Sequence, residues 1–137
     1  MIVVGYQKHL FSKFANERVQ LIDNKEYEFT SSMGSLAVVE PYIKEDFLLI
    51  ESDTFFEKKL IESVSKVEEG NCFCITGESG NRDEAFVQLR QGRVQRISKD
   101  YHQISHIDGE MMGVTRIKKD TFYLMCRAYE HATNKRV

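Results

Sequence analysis

At 137 residues, 42% of them hydrophobic and 29% charged, the chain has the length and balance of one globular domain, which excludes a disordered or low-complexity class. A formal charge of −2, with Lys and Arg interspersed among Asp and Glu, leaves no basic face for a polyanion, so nucleic acid is not an expected partner. No apolar stretch approaches the roughly 20 residues needed to cross a bilayer, and Met1-Ile2-Val3-Val4 is unlike a signal peptide, so the expected compartment is the cytoplasm, without membrane attachment.

Ile2 to Val4 is a β-branched run broken by Gly5, after which Leu10, Phe11 and Phe14 recur at helical spacing. Val19 to Ile22 reads as a second strand, closed by Asp23-Asn24 and followed by a polar loop through Tyr27 and Phe29. Thr30, Ser31 and Ser32 are good N-cap residues, and Leu36, Val39 and Ile43 continue an apolar stripe, which predicts a helix ending near Pro41-Tyr42. Asp46 to Ile50 is apolar without alternation, the pattern of a strand covered on both faces of a parallel sheet, and it runs straight into Glu51-Ser52-Asp53. From Phe56 to Val67, the residues Leu60, Ile61, Val64 and Val67 form one helical face, ended by Glu68 to Asn71.

The pattern then changes. Cys72 to Thr76 reads as a strand and Gly77 to Asp83 as a mobile loop, since it has glycines but no lysine at the P-loop position. Ala85 to Leu89 and Val94 to Ile97 read as strands joined by Gln91-Gly92, and Ile104 to Ile107 as a further strand. Met111 to Ile117 is another strand, and Phe122, Met125, Ala128 and Tyr129 mark a last helix. Together these predict a single α/β domain over residues 1–137, a Rossmann-like three-layer sandwich with a mostly parallel sheet and a β-hairpin insertion. Cys72, Cys74 and Cys126 are odd in number and lack a second ligand pair, so they read as reduced, packed thiols rather than a zinc site.

Ligands of open parallel sheets bind beyond the carboxyl ends of the strands, which puts Asp53 where a ligand would be. Magnesium arriving with a nucleoside triphosphate takes only one or two protein carboxylates, so one Asp suffices to begin a site. The alternative is that Asp53 caps the helix starting near Phe56. Glu51 shares its strand face but reads as an edge charge. The loop from Asn24 to Ser35 has small residues that allow close approach of a ring or phosphate, although a Ser-rich helix cap has the same composition. His102 and His106 lie four apart with no evident third ligand, so they stay outside the site.

The order Asn24-x-x-Tyr27, then Ser31 to Leu36, then Phe47 to Asp53, then Gly109 to Val114 resembles the nucleotidyltransferases that include phosphocholine cytidylyltransferases and sugar-phosphate nucleotidyltransferases. Val3-Val4-Gly5-Tyr6 resembles that family's second strand and turn. The resemblance implies Asp53 as the catalytic, magnesium-binding aspartate, Ser32, Gly34 and Ser35 as nucleotide-binding residues beside the base, and Glu110 as an acceptor-binding residue suited to a cationic head group. It implies CMP transfer from CTP to phosphocholine or a sugar phosphate. Two asparagines common in the cytidylyltransferases are replaced by Ser31-Ser32, which leaves the base open. The family's first strand, glycine-rich basic loop and late second acidic ligand have no counterpart in the sequence, so the expectation is an N-terminally incomplete domain, inactive alone, whose exposed sheet edge pairs with another copy. Two other classes fit parts of the pattern: a noncatalytic nucleotide-binding or oligomerising remnant, and a phosphoreceiver domain with its aspartate after the third strand.

Overall fold

The computed structural model describes residues 1–68, 70–80 and 84–134. The chain divides into two compact units, residues 1–45 with 119–137, and residues 46–118.

In the first unit, β1 (Ile2–Val4) pairs in parallel with β2 (Leu21–Asp23), Ile2 opposite Leu21 and Val4 opposite Asp23. The connection between them contains a 3-10 helix, Lys8–Phe14, where the apolar spacing predicts helix. Asn24 follows β2 and is buried, yet its side chain is fully used: Nδ2 donates to Thr30 Oγ1 (3.0 Å) and Ser35 Oγ (3.1 Å), while Oδ1 accepts the Glu26 N–H (3.0 Å). The helix expected to reach Tyr42 is split into α1 (Ser32–Ala37) and a 3-10 turn, Glu40–Tyr42. Pro41 causes the break, because it has no N–H to donate to the turn before it. The unit's last helix, α3 (Lys119–Asn134), packs on α1, and Tyr123 Oη donates to the Ile43 carbonyl at 2.9 Å. Val4, Ile22, Leu36, Val39, Ile43, Phe122 and Cys126 are its buried apolar residues among those described.

The second unit contains β3 (Phe47–Ile50), α2 (Lys58–Ser65), β4 (Cys72–Thr76), β5 (Phe86–Arg90), β6 (Arg93–Ser98) and β7 (Gly109–Ile117). Leu60, Ile61 and Val64 lie on the inner stripe of α2, which packs on β4 and β7. The mostly parallel sheet expected here is corrected: every recorded pairing in this unit is antiparallel. β7 is the organiser. Thr115 lies opposite both Leu49 of β3 and Phe73 of β4, so β7 runs between these two strands. β3 and β4 therefore run parallel to each other, as a strand–helix–strand unit requires, but a strand from later in the chain is inserted between them. β5 joins β7 at Gly109 and Glu110, on the same edge as β3.

The β5–β6 hairpin forms where expected, and its turn residues Gln91 and Gly92 have φ values of 53° and 71°, the left-handed pair that a tight hairpin needs. Its register passes from Gln88↔Arg96 to Leu89↔Val94, so Gln95 is skipped in the strand register. That bulge places Val94 and Ile97 on the same face as Leu89 and Val87. The strand expected over Ile104–Ile107 is not formed. Instead Asp100 accepts the His102 N–H at 2.9 Å and starts a 3-10 turn, Tyr101–Gln103, from which the chain runs irregularly to β7.

Candidate functional site

β3 continues into its loop through one further backbone bond, from Glu51 N–H to the Gly113 carbonyl at 2.8 Å. The chain then turns over β7. A Cβ added at Gly113 would fall on Thr54 Oγ1 and 2.7 Å from Glu51 Cβ, so only glycine leaves room for the turn. This close approach fixes the segment that carries Asp53. Asp53 is exposed, on a turn, and lines a cavity of about 610 Å³ with Glu51, Thr54, Glu84, Lys99 and Glu110. The helix-capping alternative does not hold: α2 begins at Lys58 with Glu57 as its N-cap residue, beyond the reach of Asp53 in sequence.

Glu110, at the start of β7, is only 1% exposed. Its Oε2 accepts the Ser79 N–H at 2.8 Å. Hydrogen bonds from the Ser79 side chain and backbone and from the Gly80 N–H stabilise the carboxylate and hold its pKa below the ordinary range, against the opposing effect of burial. The loop read as mobile is thus tied at Ser79 and Gly80 to β7; Asn81 to Asp83 of that loop lie outside the described residues. Glu110 lines the Asp53 cavity and also a second one of about 630 Å³, whose walls include Phe86, Tyr101, Ile107, Asp100 and Lys99. Its carboxylate is engaged with the loop, as an anion already bound to protein donors. Nothing in the sequence pattern signals this use, because the partner lies 31 positions away.

The residues expected beside the base belong to the first unit. Ser32 is exposed at the first turn of α1. Gly34 is buried, and the space a Cβ would need is taken by Thr30 Cβ (2.5 Å) and Tyr129 Oη (2.7 Å). Ser35 is bonded to Asn24. The small side chains at 34 and 35 therefore serve packing within the unit.

Among the described residues no group of three or more His, Cys, Asp or Glu is arranged to hold a metal ion. A magnesium ion shared with a triphosphate makes a smaller demand, one or two hard oxygen ligands, and the exposed carboxylate of Asp53 meets it. His106 Nε2 lies 3.1 Å from Asp108 Oδ1 and His102 is in the 3-10 turn after β6, so neither histidine joins Asp53. Among the described residues no helix is long and apolar enough to cross a membrane.

No family model matches the sequence. Solved structures do. An inositol-1-phosphate CTP transferase from T. maritima superposes with a TM-score of 0.73 at 23% identity, over 89% of this chain and 52% of that one. A Bacillus anthracis protein assigned as a glucose-1-phosphate thymidylyltransferase, in complex with a sucrose, superposes with a TM-score of 0.69 at 12% identity, over 89% of this chain and 53% of that one. This chain shares the fold of these two proteins over most of its length. This chain spans about half the length of the two solved structures. The antiparallel β7 between β3 and β4 belongs to a mixed α/β fold and departs from the mostly parallel sheet expected from the sequence.

Proposed function

We propose that the chain is part of a sugar-phosphate nucleotidyltransferase domain, in which Asp53 holds the magnesium of a nucleoside triphosphate. The observation that carries this reading is the Asp53 turn. It is clamped over Gly113, it leaves a carboxylate exposed on a cavity, and it caps no helix. In the reaction, an oxygen of the acceptor's phosphate attacks the α-phosphorus, the bond to the β-phosphate's bridging oxygen breaks, and pyrophosphate leaves with the electron pair. The attacking oxygen is already ionised, so no base is needed. Magnesium, when bound, offsets charge on the triphosphate, and Asp53 orients it.

CTP is the base to test first, because one of the similar structures is a CTP transferase, and a sugar phosphate or phosphocholine is the acceptor class. Ser32 remains the candidate base contact of its unit, with Gly34 and Ser35 shaping the helix start beneath it. A phosphoreceiver is disfavoured by topology: its aspartate stands on a strand flanked by parallel neighbours, whereas β3 pairs antiparallel with β7. Homo-oligomerisation through a sheet edge belongs to the proposal as well, although the β6 edge carries Arg93, Arg96 and the Gln95 bulge, features that blunt strand pairing. Sedimentation equilibrium tests it.

The deciding measurement is calorimetric titration of the chain with CTP and UTP, with and without magnesium. Magnesium-dependent binding that disappears in Asp53→Ala is expected. Binding unaffected by Asp53→Ala refutes the metal assignment, and no binding of either nucleotide favours a noncatalytic remnant.

A further inference from the structure

The β5–β6 hairpin divides its side chains by chemistry. Residues opposite each other across the ladder share a face, so Val87 with Ile97 and Leu89 with Val94 make one face, while Gln88 with Arg96 and Arg90 with Arg93 make the other. The apolar face is core at its base, where Val87 is fully buried, and open toward the turn, where Val94 is 44% and Ile97 43% exposed. β5 pairs with β7 at Phe86 and Val87, next to the start of β7, so the hairpin from Gln88 through the turn runs on past that strand. The chain's formal charge of −2 conceals what stands on this projection: Arg90, Arg93 and Arg96, with no Asp or Glu between Glu84 and Asp100.

Arg90 and Arg93 face each other at the mouth of the turn and form no ion pair among the described residues. Like charges directly opposite weaken a ladder. Arg96 donates to the Gln103 carbonyl at 2.6 Å, which leaves its charge uncompensated. Asp108 meets the hairpin only through the Leu89 N–H, and its other oxygen pairs with His106. Protection of the β6 edge accounts for Arg93 and Arg96. It does not account for Arg90 on the inner strand, nor for exposed Val94 and Ile97, which protection would make polar.

We propose that the projecting end of the β5–β6 hairpin is a membrane-surface contact for anionic phospholipid. Val94 and Ile97 enter the boundary between headgroups and acyl chains, and the arginines reach lipid phosphates, the division of labour of interfacial amphipathic elements. Guanidinium groups match phosphate oxygens in pairs. A projecting turn offers no groove to a folded acidic partner, and Gln88 to Ser98 include no aromatic ring on which a nucleic-acid base could stack. The inference is independent of nucleotide binding at Asp53.

The test floats the full chain with vesicles of phosphatidylcholine alone and of phosphatidylcholine mixed equally with phosphatidylglycerol. Binding to the anionic vesicles only is expected, and added salt should weaken it. Arg90→Gln and Arg93→Gln should each lower the partition coefficient roughly fivefold, the usual effect of one cation at an anionic surface. Arg93→Lys should retain most of the binding, because mobile headgroups rearrange around a point charge. The chain has no tryptophan, so Val94→Trp supplies a single reporter, whose emission should move to the blue on anionic vesicles and be quenched by brominated acyl chains. All these positions are exposed, and urea midpoints check that each variant keeps the fold. Equal binding to both vesicle types, no binding to either, or an unquenched reporter in Val94→Trp overturns the proposal. Binding of polyglutamate or duplex DNA as tight as that of anionic vesicles also overturns it, because the arginines would then serve a polyanion without help from the apolar face.

Discussion

Gly113 and Thr54 occupy what would be one volume: the hydroxyl of Thr54 sits where a side chain at Gly113 would begin, and the Gly113 carbonyl accepts the Glu51 N–H. The Asp53 turn is positioned by a residue with no functional group of its own. Gly113→Ala should force the turn off β7, destabilising the fold by roughly 1–3 kcal/mol, the usual cost of overpacking. Urea denaturation measures that cost. Magnesium-dependent nucleotide binding should fall as well under conditions where the variant is still folded. A variant as stable as the parent, with unchanged nucleotide binding, would show that the turn is not held in this way.

Glu110 ties the Ser79–Gly80 segment to β7, and its stability contribution has a defined pH window. Because the folded-state pKa lies below the unfolded value, near 4.5, the contribution is present above that value and is lost as pH falls through the lower folded-state pKa. Glu110→Gln keeps the shape but accepts weaker hydrogen bonds. Its urea midpoint should lie below that of the parent at pH 7, and the gap should close as the pH is lowered below about 4.5. A gap that stays constant across this range would mean the charge of Glu110 is irrelevant to the loop.

These two sites show what could be read from the sequence. Cys72–Thr76 was legible as a strand, and Gln91-Gly92 as a turn, because both signals are local. The apolar run at Phe47–Ile50 correctly marks β3, but an unbroken apolar run does not state the direction of its partner. That partner is Val114–Ile117, more than sixty positions later, and it replaces the expected mostly parallel sheet with one whose recorded pairings are antiparallel. The Asp53 turn was visible at the carboxyl end of that strand, while its support on Gly113 depends on this same long-range pairing. Likewise, Gly34 reads equally well as a place for a ligand or for a neighbouring side chain, and only the approach of Tyr129 distinguishes them.

Asn24 offers a test of the first unit. It is 2% exposed, and its amide bonds Thr30, Ser35 and the Glu26 backbone. Asn24→Ala removes one partner from three polar groups in a part-buried setting, which should cost roughly 1–3 kcal/mol. Asn24→Asp should also be destabilising, because a carboxylate cannot donate to the two hydroxyl oxygens and the Thr30 hydroxyl already donates to the Glu26 carbonyl. The measurement is the urea midpoint of each variant. If Asn24→Ala unfolds at the parent's midpoint, the network contributes nothing net.

Cys126 lies on α3 with its side chain 1% exposed, and burial, reinforced by the nearby negative charges of Glu40 and Glu130, raises its thiol pKa to about 11. At pH 8 only about one Cys126 thiol in a thousand is ionised, so it is nearly inert as a nucleophile even before access is considered. Cys72 and Cys74 are only half-buried on β4, and Cys74 is raised by burial and by its neighbour Cys72. Alkylation with iodoacetamide at pH 8 followed by peptide mass spectrometry should label Cys72 and Cys74 first, and Cys126 only when urea opens the first unit. Raising the pH from 9 toward 11 should weaken the fold through Cys126, since a group whose folded pKa is elevated stabilises below its unfolded value and loses that contribution as pH climbs to the folded one. Labelling of Cys126 in the native protein at the rate of the β4 thiols would contradict both the packing of α3 and the protonation state inferred from it.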